Sequence, residues 1–250
     1  MTQRTVDVSL STGQRKLSGD DKRQFVRQVF DRLAPVYDRM NLVISFGQTT
    51  LWRNRALRTV DLDNLRIVDV GCGSGISTRQ LRHYFPNAQI EGIDFSAKMI
   101  DVAHQADPSG TYRVGDVEHL PFPDGSVDAV VTIYTTRNFP DFEVACAEMM
   151  RILRPGGRLI VLDCFPGRAP RLWEGLQILW LSRIVPFIAR PFASPDAYRY
   201  LAGSIQAHVT VTEAVAVLTS LGAVVAPTDY SMGSATRLVA IKGNGATSAA

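Results

Sequence analysis

The chain has 250 residues, 46% hydrophobic and 20% charged, which excludes both a disulfide-stapled miniprotein and a disordered chain. A formal net charge of +3 is too small for a generic nucleic-acid binder. Cys72, Cys146 and Cys164 stand far apart, without CxxC or metal-ligand spacing, so no metal site is expected and a reducing, cytoplasmic compartment fits.

In chain order, residues 1–19 read as a polar tail without the apolar run of a signal peptide. Two helices, Asp21–Leu33 and Thr49–Val60, precede the first strand. Short apolar segments then alternate with helical ones. The strands are Arg66–Val70, Gln89–Asp94, Tyr112–Val114, Val127–Tyr134 and Gly157–Asp163. The helices between them are Ile76–Phe85, Ala97–Gln105 and Phe139–Leu153, the last stopped by Pro155-Gly156-Gly157. Strands apolar throughout and joined by helices imply a parallel sheet covered on both faces. An Arg-punctuated apolar helix from Pro170 to Pro191 follows. A helix Thr212–Leu221 and strands Val224–Asp229 and Leu238–Lys242 finish the sheet with an antiparallel edge. The most apolar stretch, 176–189, is interrupted by Arg183 and Pro186 and is shorter than the roughly 20 residues of a membrane-spanning helix. The expectation is one α/β domain over 20–242: a helical cover at 20–60, a core at 66–163, a second cover at 168–208, and tails at 1–19 and 243–250.

The sharpest motif is Asp69-Val70-Gly71-Cys72-Gly73-Ser74-Gly75, where a strand ends and a helix opens. Alternate glycines let backbone approach a ligand, and the helix N-terminus offers N–H donors. Ile76 occupies the place of the third glycine of a dinucleotide fingerprint. Asp94 ends the second strand, where an acid can accept from ribose hydroxyls; Gly115-Asp116-Val117 follows the third, where a carboxylate can accept from an adenine amino group. Met99 and Val117 offer apolar contact to that ring. Three such features at successive strand ends mark the ligand edge of a doubly wound sheet.

Together DVGCGSG, EGIDFSAKMI, GDVEHLPFPDGSVDAVV and RILRPGGRLIVLD resemble the class I S-adenosylmethionine-dependent methyltransferases. That resemblance implies a Rossmann-like, seven-stranded, mostly parallel sheet with one antiparallel strand and S-adenosylmethionine as cofactor. It lays Gly71, Gly73, Ser74 and Gly75 against the methionine end, with Asp94 on the ribose and Asp116 and Val117 on the adenine, and counts Asp69 among the cofactor-binding residues. The flanks narrow it. Val29-Phe30-Asp31, Val36-Tyr37-Asp38-Arg39-Met40-Asn41, Ser45-Phe46-Gly47, Leu51-Trp52-Arg53, Arg137-Asn138 and the stretch from Tyr198 to Ile205, with His208 after it, resemble the menaquinone and ubiquinone biosynthesis C-methyltransferases. Four places depart from that family's pattern: the DVGCGSG loop, Tyr134-Thr135-Thr136 without the family's glycine, Leu162-Asp163-Cys164 where it writes LEF, and Val209 after His208.

The resemblance implies methyl transfer to a ring carbon of a quinol, most closely a demethylmenaquinol-type prenylated naphthoquinol. Arg137 is then expected to stabilise a phenolate or orient a water, with Asn138 as hydrogen-bond partner, and Tyr37 and His208 are the candidate proton acceptors. Two rivals stand beside it: a relative methylating an aromatic or polyketide-like small molecule, and a cofactor-binding scaffold without catalysis. Expected partners are the quinol or aromatic acceptor, a membrane surface touched peripherally by the helix at 170–190, and a second copy of the chain, but no nucleic acid.

Overall fold

The computed structural model describes residues 26–31, 47–58, 60–185 and 203–244, together with Gln24, Ala34, Asp38, Leu42 and Ser45. Seven strands form one sheet: β1 (Arg66–Val70), β2 (Gln89–Asp94), β3 (Thr111–Val114), β4 (Val127–Ile133), β5 (Leu153–Asp163), β6 (Ala223–Tyr230) and β7 (Ala235–Lys242). Their order is β3-β2-β1-β4-β5-β7-β6. All neighbours are parallel except β7, which runs antiparallel to both β5 and β6. The expected mostly parallel sheet with one antiparallel strand is therefore present. Its order reverses between β1 and β4, and the crevice at such a switch point is where doubly wound sheets bind ligands.

Among the described residues, the helices with both ends defined are α1 (Gln48–Arg58), α2 (Ile76–Tyr84), α3 (Ala97–Ala106), α4 (Phe142–Ile152), α5 (Arg171–Leu179) and α6 (Val211–Ser220). Neighbouring strand residues divide between two cores, as a sheet covered on both faces requires. Ile67, Val131, Ile160 and Leu162 pack with Trp52 and Leu57 of α1 and Leu81 of α2. Val68, Val130, Leu159 and Val161 pack with Met149 of α4 and Leu218 of α6.

Most boundaries lie within a few residues of the sequence expectation, and the exceptions have local causes. The helix expected from Phe139 begins at Phe142, because Asp141 accepts from the backbone N–H groups of Glu143 and Val144 and so caps it. Its end comes at Ile152, before the proline-glycine stop. Leu153 already pairs with Val127 in the sheet, and Lys242 Nζ donates to the carbonyls of Met150 and Leu153, each at 2.7 Å. A basic side chain from β7 thus supplies the cap that no local glycine provides. Helix α5 ends at Leu179 and continues as a π-helical turn, Trp180–Ile184.

Candidate active site

At the C-terminal edge of β1, Gly71, Gly73 and Gly75 all take positive φ, at 71°, 54° and 78°, a region that disfavours other residues. The three serve different ends. A Cβ on Gly71 would lie 2.6 Å from Thr135 Cγ2, and one on Gly75 would lie 2.8 Å from the Tyr112 hydroxyl oxygen. A Cβ on Gly73 would meet nothing within 4 Å, so this residue keeps space clear in front of the loop. Thr135 stands where the related family writes glycine. Its φ of −122° suits any residue, and Gly71 makes room for its side chain.

Two buried aspartates support the loop. Asp94 Oδ2 accepts from the Gly73 N–H and its Oδ1 from the Ser96 N–H, both at 2.9 Å. Asp69 Oδ2 accepts from the Ser77 and Thr78 hydroxyls at 2.7 and 2.6 Å. Burial pushes both carboxyls up to about 6, against the hydrogen bonds that favour the charged form. Mutual repulsion adds to the shift of Asp94, which also feels Asp31.

The N-terminal segment closes over this end. Asp31 accepts from the Ser96 hydroxyl at 2.6 Å, and Asp38 accepts from the Ser74 hydroxyl at 2.8 Å. Phe30 meets Phe95 edge-on at 6.2 Å. Sequence reasoning assigned no role to Asp31 or Asp38, though both lie in the quoted N-terminal stretches. Asp116 sits just past β3, its Oδ1 accepting from the Glu118 N–H at 3.0 Å; Met99 is buried and Val117 partly buried.

The other end of the site is built after β4 and β5. Arg137 and Asn138 form a single 3-10 turn and are both buried. Arg137 Nη1 lies 2.5 Å from Oδ1 of the fully buried Asp163. Asp163 also accepts from the Thr136 hydroxyl at 2.7 Å and the Cys164 N–H at 2.8 Å. Burial opposes its ionisation, but Arg137, His208 and these hydrogen bonds outweigh it and hold the carboxyl below its ordinary value. His208 Nε2 lies 3.1 Å from Thr136 Oγ1, and its ring stacks on Phe165 at 4.9 Å.

A cavity of about 830 Å³ joins the two ends and continues along α5, within the size range of small-molecule sites. Gly71, Gly73, Ser74, Asp94, Met99, Asp116 and Val117 line it at one end, and Arg137 and Asn138 farther along. Trp173, Leu176, Leu179, Trp180 and Ile184 add an apolar wall. His208 does not line it; its Nε2 meets Thr136 Oγ1, which donates to Asp163 behind Arg137. Asp69 and Gly75 lie beneath the lining. Tyr37 and the stretch from Tyr198 to Ala202 fall outside the described residues. Among the described residues no cluster of His, Cys, Asp or Glu could hold a metal ion, and no helix is long and apolar enough to cross a membrane.

The cleared space at Gly73 and the ionisable Asp94 beside it fit a nucleoside-bearing cationic cofactor. Comparison with known proteins agrees. Residues 17–242 match the ubiE/COQ5 methyltransferase family. The chain is 33% identical over 208 residues to the demethylmenaquinone methyltransferase of Thermotoga maritima, covering 82% of this chain and 90% of that one. It is 30% identical over 210 residues to the ubiquinone/menaquinone biosynthesis C-methyltransferase UbiE of Geobacter sulfurreducens, covering 81% and 82%. Among solved structures, an S-adenosylmethionine-dependent methyltransferase of Thermotoga maritima, described as a possible histamine N-methyltransferase, shares the fold. Its TM-score is 0.65 at 19% identity, covering 87% of this chain and 99% of that one.

Proposed function

The chain belongs to the ubiE/COQ5 methyltransferase family, and from that premise we propose that it methylates a ring carbon of a quinol, with a prenylated demethylnaphthoquinol as acceptor. S-adenosylmethionine supplies the methyl group on a positively charged sulfur, which is displaced in line. Asp69, Gly71, Gly73, Ser74 and Gly75 would hold its methionine end, Asp94 the ribose, and Met99, Asp116 and Val117 the adenine.

A ring carbon becomes nucleophilic when the neighbouring hydroxyl loses its proton. The acceptor end therefore needs a fixed positive group for the phenolate and an exit for the proton. Arg137 is that group in this reading: it lines the cavity, keeps its own proton, and is held in place by Asp163. Asn138 beside it offers a neutral hydrogen-bond partner. The candidate proton acceptors are Tyr37 and His208, whose Nε2 meets the Thr136 hydroxyl next to Arg137 in the chain.

The observation that carries the choice of acceptor is the continuity of the cavity from the glycine loop, past Arg137, onto the apolar face of α5. Leu172, Leu176 and Leu179 are 80%, 50% and 49% exposed there, with Arg171 and Arg183 exposed on the same helical stretch and Arg168 paired with Asp229. An apolar face edged with arginines suits a bilayer surface with anionic headgroups, from which a prenyl tail would enter along α5. The test supplies labelled S-adenosylmethionine with a short-prenyl demethylnaphthoquinol or a panel of soluble phenols, with and without anionic vesicles. Label should appear in the naphthoquinol, and vesicles should raise turnover on longer-chain acceptors. Label confined to the soluble phenols overturns the acceptor, and indifference to vesicles overturns the surface docking.

A further inference from the structure

Two buried oxygens close to the glycine loop have no hydrogen-bond donor: Asp69 Oδ1 and Gln80 Oε1. Neither is explained by the local fold. The other oxygen of Asp69 takes the Ser77 and Thr78 hydroxyls. The amide nitrogen of Gln80 donates to Asn54 Oδ1 of α1 at 3.0 Å, which fixes the amide with its oxygen as the remaining acceptor. A buried acceptor without a donor is costly enough that native proteins rarely keep one; Asp69 lies beneath the cavity lining, but Gln80 lines it, and its oxygen points to a donor that arrives with a ligand.

A cation accompanies them. Arg53, the residue before Asn54 on α1, lines the same cavity as Gln80, Ser77, Ser74 and Gly73. Its charge is near enough to oppose the upward shift of Asp69. An orphan acceptor and a guanidinium lining one cavity complement a group that carries N–H donors and an anion on neighbouring atoms, as an α-amino acid does.

We propose that Arg53 pairs with the α-carboxylate of the cofactor's methionine portion, and that Gln80 Oε1 accepts from its α-ammonium. The assignment rests on the cofactor reading above and adds two residues from the helices α1 and α2 that flank the loop. Arg53 thereby distinguishes the amino-acid-bearing cofactor from nucleosides that share its adenosine.

Calorimetric binding of three ligands tests this without turnover: S-adenosylmethionine, decarboxylated S-adenosylmethionine, and 5′-methylthioadenosine, which lacks the whole amino-acid portion. The unaltered protein should prefer the first over the second by about 10- to 100-fold, the range for a hydrogen bond to a charged group. Arg53→Met should collapse that preference while leaving the decarboxylated ligand's affinity in place, and Arg53→Lys should restore part of it. Gln80→Leu should weaken the two ammonium-bearing ligands alike and spare 5′-methylthioadenosine. If Arg53→Met weakens all three ligands equally, or keeps the preference, the assignment to the carboxylate is overturned. A Gln80→Leu variant that weakens 5′-methylthioadenosine just as much overturns the assignment to the ammonium. Failure of the unaltered protein to bind S-adenosylmethionine at all would instead remove the cofactor reading beneath both.

Discussion

At the glycine-loop end of the cavity, Asp69 and Asp94 are buried against hydroxyls and backbone N–H groups, and burial pushes both up to about 6. At the acceptor end, Asp163 is just as buried but faces the Arg137 guanidinium and is held below its ordinary value. The same residue type thus does opposite work. Among the described residues Asp94 has no such paired cation, and a buried charge answered mainly by neutral donors costs stability; on the proposed function, the cationic cofactor would offset that cost. Asp163 is already matched, and what it fixes is the position of Arg137. One end is completed by its ligand, and the other is prearranged for it.

Breaking the matched pair should give the largest effect. Arg137→Gln leaves Asp163 as an uncompensated buried charge, at a cost of about 3–5 kcal/mol, visible as a lowered melting temperature. Arg137→Gln combined with Asp163→Asn removes both charges and should regain most of that stability. Turnover should nevertheless stay depressed by about 10²–10³-fold in the combined variant, the scale for losing one fixed group that stabilises developing negative charge. Cofactor affinity, measured by calorimetry, should not change. Recovery of turnover together with stability would reduce Arg137 to a structural ion pair.

The unmatched end can be probed by pH. An acid whose pKa is higher in the folded than in the unfolded protein imposes a cost that is fully felt above the folded value. That cost fades as pH falls toward the unfolded value. Without ligand, Asp69 and Asp94 should therefore let the protein gain stability as pH drops from 7 toward 5, by about 1 kcal/mol each. Asp163 works in the opposite sense: its stabilisation is present above the ordinary 3.8 and is lost only below it. Cofactor affinity should move against stability, weakening by up to about tenfold per pH unit below 6 as Asp94 takes up a proton. In Asp94→Asn both slopes between pH 7 and 5 should shrink. Melting curves and calorimetric titrations at pH 5, 6 and 7 check this, and an affinity that does not vary over that range counts against Asp94 as a charged ligand group.

The two ends also differ in how far they can be read from the sequence, for a physical reason. The glycine loop, Asp94 and Asp116 each occupy a strand end, where backbone geometry alone aims them at the crevice, so strand pattern and local motif suffice to find them. Arg137-Asn138, just past β4, is found differently: only its resemblance to the family's Arg-Asn pair singles it out. What they touch is another matter. Asp163 meets Arg137 across two strands, Gln80 meets Asn54 across two helices, and Trp173 meets Ser234 across 61 positions of chain. No periodicity or spacing encodes such pairs, because packing sets them. The helix at 170–190 illustrates the same limit. Its apolar spacing is compatible with a core helix, yet Leu172 is exposed and Leu176 and Leu179 line the cavity, since the sheet is already covered by α1, α2, α4 and α6.

The smallest expected effect concerns how the two ends are covered. The turn between β6 and β7 takes three successive left-handed residues, Ser231, Met232 and Gly233, with φ of 45°, 56° and 85°, and both covering helices hydrogen-bond to it. Trp52 of α1 donates to Ser231 Oγ at 2.9 Å. Trp173 and Gln177 of α5 donate to Ser234 Oγ at 2.9 and 2.5 Å. Ser234→Ala removes the acceptor for both α5 donors but leaves the α1 contact, so it should loosen the acceptor end alone. With about 0.5–1.5 kcal/mol per hydrogen bond, the KM for the acceptor should rise roughly three- to tenfold while cofactor affinity holds. Indole emission should also change, because Trp173 loses its partner. Ser231→Ala, which releases Trp52 instead, should leave the acceptor KM unchanged. If both variants raise it equally, the turn acts as one brace for the whole fold, and the two ends are not covered independently.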